Sequence, residues 1–314
     1  MEKNILLTGG TGFIGSQLAE DLLNENKKII LFKRSFSDTW RVDNFSSEFI
    51  DSDNLVFFDI DKENISEVFE TFNIDGILHL ATYYSKFHNS NEINDMLYSN
   101  ITFPTILLEN TVKNNVKYFI NTGTCFEYSF DKLPVSEKNK IQAVNLYAST
   151  KIAFEDVLKF YTREYNLKSS TLKLFTPYGP KDDENKITPY LIINYLKKNK
   201  IDIQSASKRL DFTFVLDIID AYKKTIANVK NFNESEDINV ASGVSHTIEE
   251  VYSIIDSILN FDEKSEVEFG ESDSSEIRSD STKAKELINW EPNYNLKEGL
   301  SLTIDFYKNK YNLY

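Results

Sequence analysis

Cysteine occurs once in 314 residues, at Cys125, so no intramolecular disulfide framework can form. That scarcity, with a start that joins no basic region to a long apolar run, makes a reducing cytoplasm the expected compartment. Histidine is nearly as rare. His79, His88 and His246 stand far apart without partner cysteines or metal-ligand spacing, and no metal is expected. Long apolar runs are also missing: stretches such as residues 29–32 and 56–58 fall far short of the ~20 residues a membrane-spanning helix needs. A soluble chain with no membrane partner is therefore expected. Positive charge is short too, with 35 Lys and Arg against 49 Asp and Glu and a formal net charge of −14, which repels nucleic-acid backbones and excludes them as partners. An anionic small ligand must rely on helix N-termini or on Arg34, Arg41, Arg163, Arg209 and Arg278, the arginines of the chain.

What is present is an alternation. Short apolar, β-rich runs at residues 4–8, 28–32, 56–59, 76–80, 118–122 and 170–174 read as strands, separated by helical spacing of apolar positions at 14–24, 65–72, 96–114 and 146–165. That pattern predicts an α/β fold, a doubly wound parallel sheet flanked by helices. After residue 174 the alternation becomes irregular at the breaker cluster Thr176-Pro177-Tyr178-Gly179-Pro180, where a second, smaller C-terminal lobe begins. Residues 262–281 are acidic and serine-rich and read as surface loop with short strand.

Glycine is sparse at ten residues, yet Gly9, Gly10, Gly12 and Gly15 crowd into Thr8-Gly9-Gly10-Thr11-Gly12-Phe13-Ile14-Gly15, directly after the first strand and at the start of the first helix. A tight strand-to-helix turn, close passage of a pyrophosphate and close packing of helix on strand need three small residues, and Gly9, Gly12 and Gly15 supply them. Thr11, Phe13 and Ile14 complete the candidate cofactor loop. The alternative is a glycine-rich turn without ligand; its position between first strand and first helix favours dinucleotide binding. The second strand runs into Lys33-Arg34-Ser35, with no carboxylate and with a guanidinium able to fork onto a ribose 2′-phosphate, which predicts NADP(H) rather than NAD(H). A solvated basic turn is the alternative. Asp59, followed by Ile60 at the end of the third strand, is a candidate for the adenine amino group, a plain turn aspartate being the other reading.

Hydride transfer to a ketone creates an alkoxide, which needs a proton donor and a cation to lower that donor's pKa. Tyr and Lys at i and i+4 share a helix face. Tyr128 with Lys132 lies in a loop-like segment, whereas Tyr147 with Lys151 opens a long helical pattern and is the catalytic candidate, Lys151 being expected to shift the phenol downward. The bland reading is a surface pair. Thr124 ends the fifth strand, where open α/β sheets bind ligands, and is placed to hold the substrate carbonyl; Cys125 beside it reads as a small packing residue at the substrate.

The ordered set Thr8 to Gly15, His79-Leu80-Ala81, Tyr147 with Lys151, Pro177-Tyr178-Gly179-Pro180, Asp211-Phe212-Thr213-Phe214-Val215 and Leu287-Ile288-Asn289-Trp290-Glu291-Pro292 resembles the extended short-chain dehydrogenase/reductase family acting on nucleotide sugars. The resemblance runs from about residue 4 to residue 292. It implies a Rossmann domain of residues 1–176 with 211–241 holding the dinucleotide, a lobe of residues 177–210 with 242–314 holding a nucleoside diphosphate sugar, and chemistry between them. It implies Tyr147 as acid-base group, Lys151 as nicotinamide-ribose ligand and tuner of Tyr147, and Thr124 as orienter of the sugar oxygen. Leu80, Ala81, Thr82, Asn100 and Pro177 join the cofactor candidates by the same likeness. His79 lies near the cofactor by analogy, although an apolar strand makes it a core histidine.

Dehydratases of this family carry Asp-Glu straight after the catalytic threonine; here Cys125-Phe126 follow Thr124, against dehydration. Epimerases retain NAD and show an acidic residue after the second strand, while 4-keto-sugar reductases consume NADPH, which Lys33 and Arg34 favour. The runs 31–40 and 123–128 are similar to the reductases that finish 3,6-dideoxyhexoses as CDP-sugars, the abequose and paratose synthases, with GDP, dTDP and UDP left open. Where the family places Arg immediately before Asp-Phe, Leu210 separates Arg209 from Asp211; Arg278 is the other candidate for the diphosphate, or a solvated loop arginine. The expectation is an NADPH-dependent C4-ketoreductase of surface-polysaccharide sugar biosynthesis, acting as a homodimer through helices 96–114 and 146–165. A 4-epimerase and a non-catalytic NADP(H)-sensing protein are the rivals.

Overall fold

Strands buried on both faces of a parallel sheet need continuous apolar runs, and the first half of this chain supplies them. The computed structural model describes residues 4–261, 265–270 and 273–313, the side chain of Ser46 aside. Strands β1 (Asn4–Thr8), β2 (Lys28–Lys33), β3 (Leu55–Asp59), β4 (Gly76–His79), β5 (Tyr118–Thr124) and β6 (Lys168–Leu174) join a seventh strand, Glu236–Val240, in one sheet. The order is Glu236–Val240, β6, β5, β4, β1, β2, β3, and the pairings β1 with β2, β1 with β4, β2 with β3 and β4 with β5 are parallel. The sheet is the expected doubly wound Rossmann type. Its chain runs outward from β1 to β3 and then crosses to β4 on the other side of β1, which creates the switch point where such sheets bind ligands. Register aligns the strand ends there: Thr8 faces Phe32 and His79, Lys33 faces Asp59, and His79 faces Asn121.

Helices α1 (Phe13–Asn24), α2 (Asp43–Asp51), α3 (Ile65–Thr71), α4 (Ile93–Leu97), α5 (Phe103–Lys113) and α6 (Leu146–Tyr165) accompany the strands. Leu107 and Leu108 from α5 and Phe154 and Leu158 from α6 pack with Leu6, Ile30, Ile77 and Phe119 of the sheet in one apolar cluster. The helix expected over 96–114 is formed, as one unbroken helical stretch over 93–113 with a π turn inside it. Between α4 and α5 the chain widens into a π turn, Tyr98–Thr102, which inserts Asn100 into the interior. One-turn π insertions of this kind recur at functional sites.

The chain divides into two compact units: Met1–Ser129 with Lys140–Lys173 and Tyr222–Ile238, and Phe130–Asn139 with Leu174–Ala221 and Asn239–Tyr314. In the second unit Asp211 accepts hydrogen bonds from Ser242, from the Gly243 N–H and from the Ser279 N–H. There the buried Trp290 donates to the Asp217 carbonyl (2.9 Å), while the Asp217 carboxylate receives the Asn293 and Tyr294 N–H groups. Among the described residues of 262–281, Val267–Phe269 is a short strand and the rest is largely irregular; residues 262–264, 271 and 272 lie outside the description.

Candidate functional site

The glycine loop is built for close approach. Gly9 takes a φ of +70°, and a Cβ there would stand 2.6 Å from the Ala81 nitrogen, while one on Gly15 would stand 2.2 Å from the Gly9 carbonyl oxygen. Backbone on every side fixes both positions as glycine. Gly12 caps α1 in extended conformation without any side-chain hydrogen bond to the first turn, so no capping side chain competes with an anion for the N–H groups there. These features fit a dinucleotide pyrophosphate. Thr8 hydrogen-bonds His79 Nδ1 (2.8 Å) and receives the Ala81 N–H (3.1 Å), tying the loop to Leu80 and Ala81. His79 is buried among Phe103, Phe119 and Phe154, and burial followed by the nearby Lys151 charge pushes its imidazole well below the ordinary range; it is a neutral core histidine.

At the end of β2 the geometry corrects one expectation. The sequence offers no carboxylate after Phe32, yet the turn after β3 brings two of them there. Arg34 Nε donates to both Asp61 oxygens (2.8 and 3.1 Å), the Ser35 N–H donates to Asp61 (3.0 Å), and the Ser35 hydroxyl donates to both Asp59 oxygens (2.8 and 3.1 Å). Lys33 Nζ lies 3.5 Å from Asp59. Burial would raise the Asp59 carboxyl, but Ser35, the Asp61 N–H, Lys62 and Lys33 together hold it below its ordinary range. Ile60 donates its N–H to the Lys33 carbonyl (3.0 Å), locking the two strand ends together.

The second half of the first unit's site lies around the end of β5. Asn145 caps α6 by accepting the Ala148 N–H (2.8 Å), which sets Tyr147 and Lys151 on the inward face. Tyr147 is 7% exposed and Lys151 is 3% exposed. Asn100, carried by the π turn, donates to the Thr150 hydroxyl (2.9 Å) and to the Tyr83 carbonyl (3.0 Å), and accepts from the Thr82 hydroxyl (3.1 Å) and the Tyr83 N–H (2.7 Å). One amide thus stitches α6 to the loop after β4. The Tyr84 ring meets Tyr147 edge-on at 5.0 Å.

Lys151 does not lower the Tyr147 pKa as expected. Its ammonium donates to the Thr122 carbonyl (3.1 Å) and sits 5.9 Å from the phenol ring centre. Burial therefore wins and drives the phenol well above its ordinary range, Thr82 opposing and Glu127, Tyr84 and Cys125 adding to it. Burial also depresses Lys151 to about 8, with Glu127 pulling the other way. Thr124, 8% exposed, accepts the Phe126 N–H (3.3 Å) at the start of the turn Cys125–Glu127, in which Cys125 is buried. Tyr128, from the rejected Tyr-Lys pair, is buried with its ring 5.0 Å from Lys173 Nζ.

Two residues escaped sequence reasoning. Glu127 accepts the Thr124 N–H (2.7 Å) and the Lys173 ammonium (2.6 Å), and Lys173 also pairs with Glu155 (2.7 Å), all with side chains at most 6% exposed. The signal was available for the first: Thr124-Cys125-Phe126-Glu127 is a capping box, with each end bonded to the other's backbone. Lys173 had only its oddity, a lysine in an otherwise apolar end of a strand.

In the second unit, Arg209 donates to the Ser245 carbonyl (2.6 Å) and lies 3.4 Å from Glu250, while Arg278 donates to Glu276 (3.0 Å), which also receives the Ser245 hydroxyl (2.7 Å). Both cations are held at the Ser245 and Glu276 pair rather than being solvated singly. Pro177 opens the two-residue strand Pro177–Tyr178 of that unit.

The model of the NAD dependent epimerase/dehydratase family matches residues 5–241. CDP-abequose synthase of Salmonella muenchen is 28% identical over 258 residues, covering 81% of this chain and 80% of that protein. UDP-glucuronate 4-epimerase of Thermodesulfobacterium geofontis is 30% identical over 318 residues, covering 96% and 95%. Among solved structures, UDP-glucuronic acid 4-epimerase from Bacillus cereus, in complex with UDP-glucuronic acid and NAD, superposes with a TM-score of 0.87 at 25% identity over 98% of this chain and 100% of that chain.

Proposed function

The chain belongs to the NAD dependent epimerase/dehydratase family, of the extended short-chain dehydrogenase/reductase type, whose members modify nucleotide sugars with a nicotinamide cofactor, and within it we propose an NADPH-dependent reductase of the C4 ketone of a nucleotide-linked deoxyhexulose. The observation that carries this reading is the buried phenol of Tyr147. Burial keeps that phenol protonated at neutral pH, the form that can give a proton to the oxyanion left by hydride addition. NADPH, when bound, supplies the hydride. Tyr147 donates the proton, Thr124 orients the sugar oxygen, and Lys151 holds the nicotinamide ribose and places positive charge beside the reacting oxygen.

Gly9, Gly12 and Gly15 would pass the pyrophosphate and Thr11, Phe13 and Ile14 flank it; Asp59 and Ile60 take the adenine side, with Leu80, Ala81, Thr82, Asn100 and Pro177 as further cofactor residues. Lys33, Arg34 and Ser35 read the 2′-phosphate. Arg209 and Arg278 are the cations for the substrate diphosphate, with Cys125 next to the sugar. A cytoplasmic homodimer through α5 and α6, whose exposed faces carry Ile106, Phe160 and Tyr165, serving polysaccharide biosynthesis, belongs to the same reading.

The 4-epimerase is the second reading, favoured by one observation: Asp61 and Asp59 already hold Arg34 and Ser35, so carboxylates stand where an unphosphorylated ribose would be read. Incubation with a CDP-linked 4-keto-6-deoxyhexulose and NADPH separates the two. A reductase consumes one NADPH per 4-keto sugar reduced; an epimerase leaves that NADPH unconsumed and instead, given a C4-hydroxy nucleotide sugar and NAD, inverts C4 with no net change of absorbance at the nicotinamide band. A protein that binds NADPH and does neither across a panel of nucleotide bases would be a sensor instead.

Arg34→Ala isolates the cofactor choice. Loss of charge-assisted bonds to a phosphate is worth ~1.5–3 kcal/mol, so the NADPH Kd is expected to rise by about 10- to 100-fold while that for NADH moves little. Equal changes for both in a fluorescence titration return Arg34 to a solvated turn held by Asp61.

A further inference from the structure

Behind Thr124 lies a charged cluster that neither proton donation nor cofactor binding uses. Glu127 is fully buried, with one carboxylate oxygen on the Thr124 N–H and the other on Lys173. Space for it is made by Gly123, where a Cβ would stand 2.8 Å from Glu127 Oε1, 2.8 Å from the Thr171 methyl and 3.2 Å from Lys173 Cγ. Lys173 also pairs with Glu155, and Lys159 bridges Glu155 (2.5 Å) and Asp237 (3.0 Å). The carboxyl groups of Glu127, Glu155 and Asp237 thus share the ammonium groups of Lys173 and Lys159.

We propose that Glu127 is a positioning residue for the Thr124, Tyr147 and Lys151 centre: it fixes the Thr124 backbone through the N–H, and its buried negative charge keeps Lys151 in the ammonium form. A buried ammonium whose donor bond goes to a neutral carbonyl, that of Thr122, gains little from that bond against the loss of water. Lys151 Nζ holds the Thr122 carbonyl (3.1 Å) and Glu127 Oε1 holds the Thr124 N–H (2.7 Å), groups two residues apart on β5 that leave the strand on the same side, so Glu127 stands beside Lys151 together with Tyr147 on its own helix and neutral His79 on β4. Glu127 is the anion among them. Facing Glu127 are Lys173 on β6 and Glu155 on α6, with Lys159 and Asp237 beyond. Burial pushes the Glu127 carboxyl up to about 7 although Lys173 pulls the other way; both its oxygens accept hydrogen bonds, the arrangement that suits the ionised form.

This inference rests on the reaction centre proposed above, and two kinds of measurement keep the two apart. In ligand-free protein labelled with 13Cε-lysine, the Lys151 signal, identified by its loss in Lys151→Met, is expected to titrate lower by on the order of one pH unit in Glu127→Gln, as removal of a nearby opposite charge dictates. The Thr124 amide proton is expected to move upfield in the same variant. With the CDP-linked 4-keto sugar, the alkaline limb of kcat/KM follows Lys151 downward and kcat falls about tenfold, whereas KM for NADPH is unchanged. Glu127→Asp keeps the charge but is one methylene short, and it is expected to restore the Lys151 titration with kcat still reduced. A folded Glu127→Gln protein with the wild-type Lys151 midpoint overturns the proposal; if that variant does not fold, a Glu127→Asp protein with wild-type kcat does so. A Tyr147→Phe protein with full turnover would instead sink the assignment of the centre and leave the Lys151 titration standing.

Discussion

Tyr147→Phe is expected to lower kcat by about 10²- to 10⁴-fold, the usual scale for losing a positioned general acid, with the dinucleotide Kd within about twofold of wild type. The phenylalanine retains the ring that packs edge-on against Tyr84 and loses only the hydroxyl. Folding should therefore survive, since a nearly isosteric change removes one polar atom and leaves no cavity. Because burial holds the wild-type phenol far above its ordinary range, the proton donor is present throughout neutral pH and into the mildly alkaline range. Any alkaline loss of activity then belongs to Lys151, whose ammonium burial depresses to about 8. The sign follows: turnover is full while Lys151 is charged, at lower pH, and declines as pH rises through its midpoint. Steady-state turnover of the phenylalanine variant within about threefold of wild type would remove Tyr147 from the chemistry.

Lys173→Met is expected to be the most destabilising single change at the site, by about 3–5 kcal/mol, because it leaves two buried carboxylates facing each other without their shared cation. Glu127 would keep only the Thr124 N–H, and Glu155 would keep Lys159. An apparent midpoint lowered on the order of 5–15 °C in thermal melts is the expected reading. The deficit should narrow as pH falls. Without Lys173, protonating Glu127 relieves its buried charge, and its carboxyl is already pushed upward by burial, so acid rescues the variant more than the wild type. Lys159→Met, at a position whose side chain is 40% exposed, serves as the comparison and should cost clearly less. A Lys173→Met melt that overlays the wild type at pH 8 would show that the cluster contributes little to stability.

How much of this was legible beforehand follows from how far apart in sequence the contributing residues lie. The glycine loop, the six strands of the first half and the face that carries Tyr147 and Lys151 are set by local rules: period, breakers, and a missing Cβ where backbone passes backbone. Each needs only a window of a few to some twenty residues. The π turn at Tyr98–Thr102 within the expected helix was not legible because its residues have no sequence pattern of their own; Asn100 is drawn inward by partners at Thr82, Tyr83 and Thr150. The carboxylates against Arg34 were missed for the same reason. Asp59 and Asp61 follow a different strand, and only the register of β2 with β3 brings Lys33 opposite Asp59.

The sequence by itself determined the α/β alternation, the phosphate-suited turn and the identity of the tyrosine that shares a helix face with a lysine, because these depend on short-range backbone geometry. Tertiary structure alone decided the electrostatics. Whether Lys151 lowers Tyr147, whether Arg34 stands free, and whether Glu127 is a capping residue or a buried anion beside Lys173 all turn on desolvation and on charges brought together from distant strands, quantities that exist only once the sheet has assembled.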